Sequence, residues 1–351
     1  MLLLVLCAAA GFAVASWPIR EAAYRTAYRD SDLLRDRLRR ALEEPTFDTL
    51  VLGTSRSENQ VDPDVFDAAM RAGGHPTRTY VLGIAAGSIP ELDSVARALL
   101  RARPCCLARV ILEPDFGFLI PAQERTSDRA VHFDTLPNVL TLWSYIGTLG
   151  PGAPSGRKRD LRRNILLAMG LNLLNVGLVH RIFSAQLGNH AGLTLTHGYR
   201  VLGETTYSKF ANDPELIRQY HSWVEEMTDV YRGKADLSAL VPDVQWQHLV
   251  ELVRLLQEHG LKVALLHAPQ LVSWKFGVSY VQSYPRRCIP GVPLFDLSNP
   301  DEYPDFFKLD NRFDLYHVNG RMAPIYTAEI ARKLLAYLDR PQDFDCRSRG
   351  E

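Results

Sequence analysis

Residues 46–59 read TFDTLVLGTSRSEN. Positions 47–52 are mostly apolar, Gly53-Thr54-Ser55 breaks the run, and a polar segment follows. That is the pattern of a buried parallel strand ending in a turn at the top of a sheet. Small residues at such a turn let a hydroxyl stand clear of the backbone, with a helix N-terminus behind it. Ser55 is therefore the candidate nucleophile. A serine in this position also caps helices, and the stretch alone does not separate the two roles.

Outward from this stretch the pattern repeats. Asp62-Pro63 opens a helix to about residue 72, with the proline suited to the first turn. A strand is expected at 79–82, followed by Gly83-Ile84-Ala85-Ala86-Gly87-Ser88. Pro90 opens a helix to about 102, and a strand at 108–112 ends in Glu113-Pro114-Asp115. Three strand–helix units in succession imply a parallel sheet. The alternation lapses over 116–243. That stretch holds a Gly/Pro-rich break at 147–156, a basic run (Arg157, Lys158, Arg159, Arg162, Arg163) and an apolar helix near 164–183. The basic run suits either an anionic substrate or lipid head groups, or is a solvated helix start. The apolar helix packs on the domain as an insertion or lid, or associates with a membrane. A helix at 214–231 has Asp213 as N-cap and Pro214 in its first turn. A helix at 245–259 closes at Gly260. A strand at 262–266 then ends in His267-Ala268-Pro269. A loop rich in aromatics and proline, a strand at 293–297, the segment Asp314-Leu315-Tyr316-His317-Val318-Asn319-Gly320 and a helix at 322–338 complete the chain. The expected fold is α/β, a three-layer α/β/α arrangement on a five-stranded parallel sheet, flavodoxin-like, over 46–340. A helical insertion at 116–243 follows strand three, and 341–351 form a tail.

Lysine plus arginine and aspartate plus glutamate number 40 each in 351 residues, so no global basic field points to nucleic acid. The five cysteines form no C-x-x-C or Cys/His pattern, and no histidine spacing suggests a metal. A Cys288–Cys346 bridge stays open. Residues 1–16, MLLLVLCAAAGFAVAS, are small and apolar throughout. They fall short of the roughly 20 residues that span a bilayer comfortably. They read as a signal-peptide core or a short signal anchor, with Ala13-Val14-Ala15 in the small-x-small form of a cleavage site. Residues 17–45 read as an amphipathic linker helix. The expectation is a membrane-anchored or exported chain with its bulk periplasmic. Arg20, Arg25 and Arg29 run against that orientation under the positive-inside rule, with acidic residues interleaved.

In open parallel sheets, ligands sit beyond the carboxyl ends of the strands. The polar positions there are Ser55, Gly83, Asp115 and His267, with Asp314 and His317 after strand five. A serine nucleophile needs a base within hydrogen-bond reach and a group that holds the base in one tautomer. Asp314-x-x-His317 supplies both from a single turn. Three residues are accessory candidates. Arg56 either attracts an anionic substrate or pairs with Glu58 or Asp62. Asp115 binds the loop backbone or substitutes for a missing side-chain donor. His267 faces the cleft or is a satisfied core histidine.

Taken in order, these blocks resemble the SGNH hydrolase superfamily of GDSL-like esterases. The resemblance is greatest to its divergent, membrane-anchored branch tied to bacterial envelope and exopolysaccharide acylation. Gly53-Thr54-Ser55 stands where that family has Gly-Asp-Ser. Val81-Leu82-Gly83 matches the block that contributes a glycine amide, and Asp314-Leu315-Tyr316-His317 matches the Asp-x-x-His block. The resemblance spans 47–115 and 261–340. It implies Ser55, Asp314 and His317 as the triad, the Ser55 and Gly83 amides as oxyanion donors, and no cofactor. The family's Gly-x-Asn-Asp block is absent; Glu113-Pro114-Asp115-Phe116-Gly117 occupies its place, so one oxyanion donor is missing or comes from elsewhere. Two functions follow. One is a serine-dependent esterase or acyltransferase acting on an acylated carbohydrate or small ester at the cell envelope. The other is a non-catalytic relative that binds a polysaccharide or an envelope assembly partner. A nucleotide-binding protein on the same sheet finds no support, because neither Gly-x-Gly-x-x-Gly nor a P-loop is present.

Overall fold

Five parallel strands form one sheet in the order β2-β1-β3-β4-β5. The computed structural model describes residues 46–85, 87–102, 106–116 and 212–344. It also describes 11, 41, 140, 142–144, 146–147, 159–163, 165–166, 199 and 202–204. The strands are β1 (Thr49–Thr54), β2 (Thr79–Ile84), β3 (Arg109–Leu112), β4 (Lys262–His267) and β5 (Leu294–Asp296). The helices are α1 (Ser55–Gln60), α2 (Pro63–Ala72), α3 (Ile89–Ala102), α4 (Pro214–Tyr231), α5 (Asp243–Glu258), α6 (Trp274–Arg287) and α7 (Ala323–Asp339).

Every residue of β1 and β2 is buried, as befits a sheet covered on both faces. Alternation along the strands sends Val51, Val81, Ile111, Ala264 and Phe295 into one buried cluster with Phe66 and Met70 of α2 and Tyr326, Ile330 and Leu334 of α7. Burying side chains of this size contributes about 1.5–3 kcal/mol each. α2 packs on α7; α3 packs on α5, and α5 on β4, which completes the three layers.

Local chemistry sets the helix ends. The Asp62 carboxylate accepts from the Asp64 and Val65 amides, with Pro63 in the first turn. Asp213 does the same for Glu215 and Leu216 at the start of α4. α4 lies within the stretch expected as an insertion, yet its Tyr220, Met227 and Val230 join the core of the sheet. Two compact units partition the chain: residues 41–118 with 194–351, and 1–40 with 119–193. In the second, Leu142, Ile146 and Ile165 are buried together, and the Arg162 guanidinium lies 5.3 Å over the Trp143 ring.

The loop expected after strand four is instead α6. Its Gly277, Tyr280 and Tyr284 are buried at helical intervals, a stripe that Pro285 in the last turn disguises. Cys288, just past this helix, is disulfide-bonded; Cys346 lies outside the described residues. So do nearly all of the leader, the linker helix and the apolar stretch at 164–183. Among the described residues no helix is long and apolar enough to cross a membrane.

The chain leaves β1 for β2 on one side and then returns to place β3 on the other. β1 and β3 therefore flank the topological switch point, where the carboxyl ends of an open sheet leave a crevice.

Candidate active site

Ser55 stands at the carboxyl end of β1, as the first residue of α1. Thr54, in extended conformation, is the N-cap, and its Oγ1 accepts the Arg56 amide at 3.2 Å. Because the threonine caps the helix, the Ser55 hydroxyl is left for another partner. That partner is His317, whose Nε2 lies 2.9 Å from Ser55 Oγ. His317 Nδ1 in turn lies 2.9 and 3.1 Å from the two Asp314 carboxylate oxygens. The network fixes the tautomer: Nδ1–H donates to Asp314, and Nε2 accepts from the serine. The His317 side chain is 13% exposed and that of Asp314 30%, so the relay meets solvent at its edge.

The Asp–His segment holds its own shape. Asp314 Oδ1 accepts the Tyr316 and His317 amides at 2.7 and 2.8 Å. The Phe313 amide donates to the His317 carbonyl at 2.9 Å, and an antiparallel bridge joins Arg312 to Val318. Burial pushes the Asp314 carboxyl up. The hydrogen bond and charge of His317, with the two amides, outweigh that and hold it below the usual carboxylate range.

Beneath the loop lies Arg312, fully buried and, among the described residues, without a carboxylate ion-pair partner. Its guanidinium donates to four carbonyls: Pro269 at 3.1 Å, Phe306 at 3.3 Å, Asp314 at 3.3 Å and Leu315 at 3.1 Å. Burial pulls its pKa down, against the opposing pull of Tyr220 and Asp314. No spacing in the sequence marks this residue, since Pro269 and Phe306 meet it only in the folded chain.

Arg56 and Asp115 have partners the sequence did not suggest, whereas His267 takes the core position that was one of its two readings. Arg56 pairs with neither Glu58 nor Asp62 but with the carboxylates after β3. Its Nε donates to Glu113, its Nη2 donates to Asp115 at 2.8 Å, and its Nη1 donates to Gln270. All of these side chains are buried. Buried and saturated in this way, the guanidinium is an internal ion pair rather than a substrate anchor. Asp115 is thus bound to Arg56. His267 is buried, its ring edge-on to Tyr280 with centroids 6.3 Å apart. Burial holds its pKa below the ordinary histidine value, so it stays neutral in the core.

Gly83 lies within β2, in register with Gly53, rather than in the turn beyond it. A Cβ there would lie 2.6 Å from the Thr54 carbonyl and 2.8 Å from the Glu58 amide nitrogen. The absent side chain is what lets α1 settle against β2. Glu113 and Arg312 are the two site-building residues that sequence reasoning passed over. Glu113 did leave a trace, as a lone carboxylate ending an apolar strand.

Among the described residues no cluster of three or more histidine, cysteine, aspartate or glutamate side chains could hold a metal ion. No family model matches the chain, and no curated protein matches it.

Proposed function

We propose that this chain is a serine-dependent acyl esterase or O-acyltransferase. Its substrate would be an acylated carbohydrate or similar ester at the cell envelope. The observation that carries the reading is the unbroken relay from Ser55 Oγ through His317 to Asp314. In the reaction, His317 Nε2 takes the serine proton as Oγ attacks the ester carbonyl. Asp314 stabilises the imidazolium, which then protonates the departing alcohol. Water or a sugar hydroxyl, activated by the same imidazole, receives the acyl group from Ser55. Hydrolase and transferase differ only in that acceptor.

The developing oxyanion lies near the first turn of α1, where helix amides lack internal acceptors. The Ser55 amide is one donor in this reading; Gly83, the second that the SGNH resemblance implies, lies inside β2 and is packed against that turn. Such donors are worth about 3 kcal/mol each in well-studied enzymes. Envelope and carbohydrate enter through the resemblance to SGNH hydrolases; the disulfide at Cys288 fits an oxidising compartment.

A fluorophosphonate probe tests the reading on the wild type beside Ser55→Ala and His317→Ala. Labelling that vanishes in the first and drops in the second is the expected result. A folded wild type that takes up no probe would instead support a non-catalytic SGNH-like polysaccharide-binding or assembly protein.

A further inference from the structure

The nucleophile turn is held by a residue outside the triad. α1 has six residues, far below the length at which a helix sustains itself, so the position of Ser55 depends on outside tethers. At its far end, Thr327 Oγ1 donates to the Gln60 carbonyl at 3.0 Å. At its near end the tether is Glu113, the first residue after β3. Its own amide donates to the Leu52 carbonyl at 2.9 Å, which anchors it beside β1. Its buried carboxylate gathers five donors. Oε2 accepts from the Thr54 amide at 3.2 Å, the Ser57 amide at 3.0 Å and Ser57 Oγ at 2.6 Å. Oε1 accepts from Thr54 Oγ1 at 3.0 Å and from Arg56 Nε. These donors belong to the residues on either side of Ser55, and together they use the whole acceptor capacity of a carboxylate.

Gly53 belongs to the same construction. A Cβ at that position would lie 2.6 Å from Glu113 Oε2 and 2.7 Å from Glu113 Cβ, and would also strike Ser57 Oγ. The glycine of the Gly-Thr-Ser stretch thus makes room for the carboxylate.

We propose that Glu113 is the positioning residue of the Ser55 turn, and that it aims Oγ at His317 by clamping Thr54, Arg56 and Ser57. The inference rests on the reading of Ser55 as the nucleophile. It also gives a purpose to the place where the SGNH third block would stand: this chain spends that position on holding the nucleophile. Glutamine at 113 would keep one acceptor oxygen and turn an NH2 group toward amide and guanidinium donors, forcing the turn to move. A displacement near 1 Å costs about 100-fold in rate.

The test uses full-length protein, with folded fraction read by circular dichroism. Fluorophosphonate labelling rates per folded molecule are measured for wild type, Glu113→Gln and Ser57→Ala, with kcat and KM on p-nitrophenyl acetate. Labelling and kcat are expected to fall about 100-fold in Glu113→Gln and several-fold in Ser57→Ala, with KM little changed. Folded variants that label at the wild-type rate would overturn the inference while leaving the esterase reading intact. If Glu113→Gln does not fold, Ser57→Ala decides alone, since it removes one donor of five. A wild type without labelling removes the esterase reading and this inference together.

Discussion

Replacing Arg312 by methionine isolates the support of the Asp–His loop. The substitution keeps much of the side-chain volume and removes every donor. Four carbonyls then lose a partner: those of Pro269 and Phe306, whose bonds are buried, and those of Asp314 and Leu315, whose bonds are part-buried. The Leu315 carbonyl keeps the Leu271 amide at 3.0 Å and the Asp314 carbonyl is only part-buried, so the penalty falls chiefly on Pro269 and Phe306. At about 1.5 kcal/mol for each of the two unsatisfied buried acceptors, the loss sums to about 3 kcal/mol. Relief from burying a guanidinium without a carboxylate offsets part of this, leaving about 2 kcal/mol. Urea unfolding followed by circular dichroism measures it as a lower midpoint at unchanged slope. The freed carbonyls of Asp314 and Leu315 loosen the turn that aims His317, so kcat falls while KM holds. A midpoint shift worth less than about 0.5 kcal/mol would refute the claim that these carbonyls depend on Arg312.

Asp314→Asn leaves the turn its side-chain oxygen but removes the charge that favours the imidazolium; kcat on an acyl ester is expected to drop by about 10⁴-fold, measured at saturating substrate. Glu113 and Asp314 are both held below the ordinary carboxylate range, Glu113 by the charge of Arg56 and hydrogen bonds from Ser57, Arg56 and Thr54, which outweigh its burial. Their contribution to stability is complete above about pH 4.3, the ordinary glutamate value, and is lost as pH falls through the lower folded values. Unfolding free energies between pH 6 and 3 should show that decline, shallower in Asp314→Asn. His267 has the opposite chemistry and the same slope: burial keeps it neutral while the unfolded chain takes up a proton below about pH 6.5. Stability therefore falls as pH drops below 6.5, and melting temperatures of His267→Gln from pH 7 to 5 should run flatter. Gly83→Ala pushes a methyl group against Thr54 and Glu58; a loss of about 1–3 kcal/mol in stability, with slower labelling of Ser55, is the expected result in melting and probe assays.

What the sequence disclosed follows the range of each interaction. α2 and α4 begin where expected, because Asp62-Pro63 and Asp213-Pro214 write their caps within three residues. The Asp314–His317 pair was legible for the same reason. The five-strand alternation was legible too, though β1 starts two residues later than expected and runs through Gly53 to Thr54. Gly53 and Gly83 read as turn signals, but both serve close packing inside paired strands. α6 was hidden by Pro285 and by buried aromatics in place of aliphatic residues. Arg56 could not be assigned, since its partners Glu113 and Gln270 lie 57 and 214 residues away. No local pattern encodes a meeting of that kind.

The two halves of the relay have different origins in the chain. Asp314 and His317 are three residues apart and belong to one self-closed turn, whereas Ser55 and His317 are separated by 262 residues. The first contact is local and the second exists only while β1 and the C-terminal loop are docked. In the proposed esterase, serine reactivity is therefore a built-in gauge of long-range order. On heating, probe uptake should vanish together with the sheet, and the same reagent that reports the chemistry can count the folded molecules in a sample.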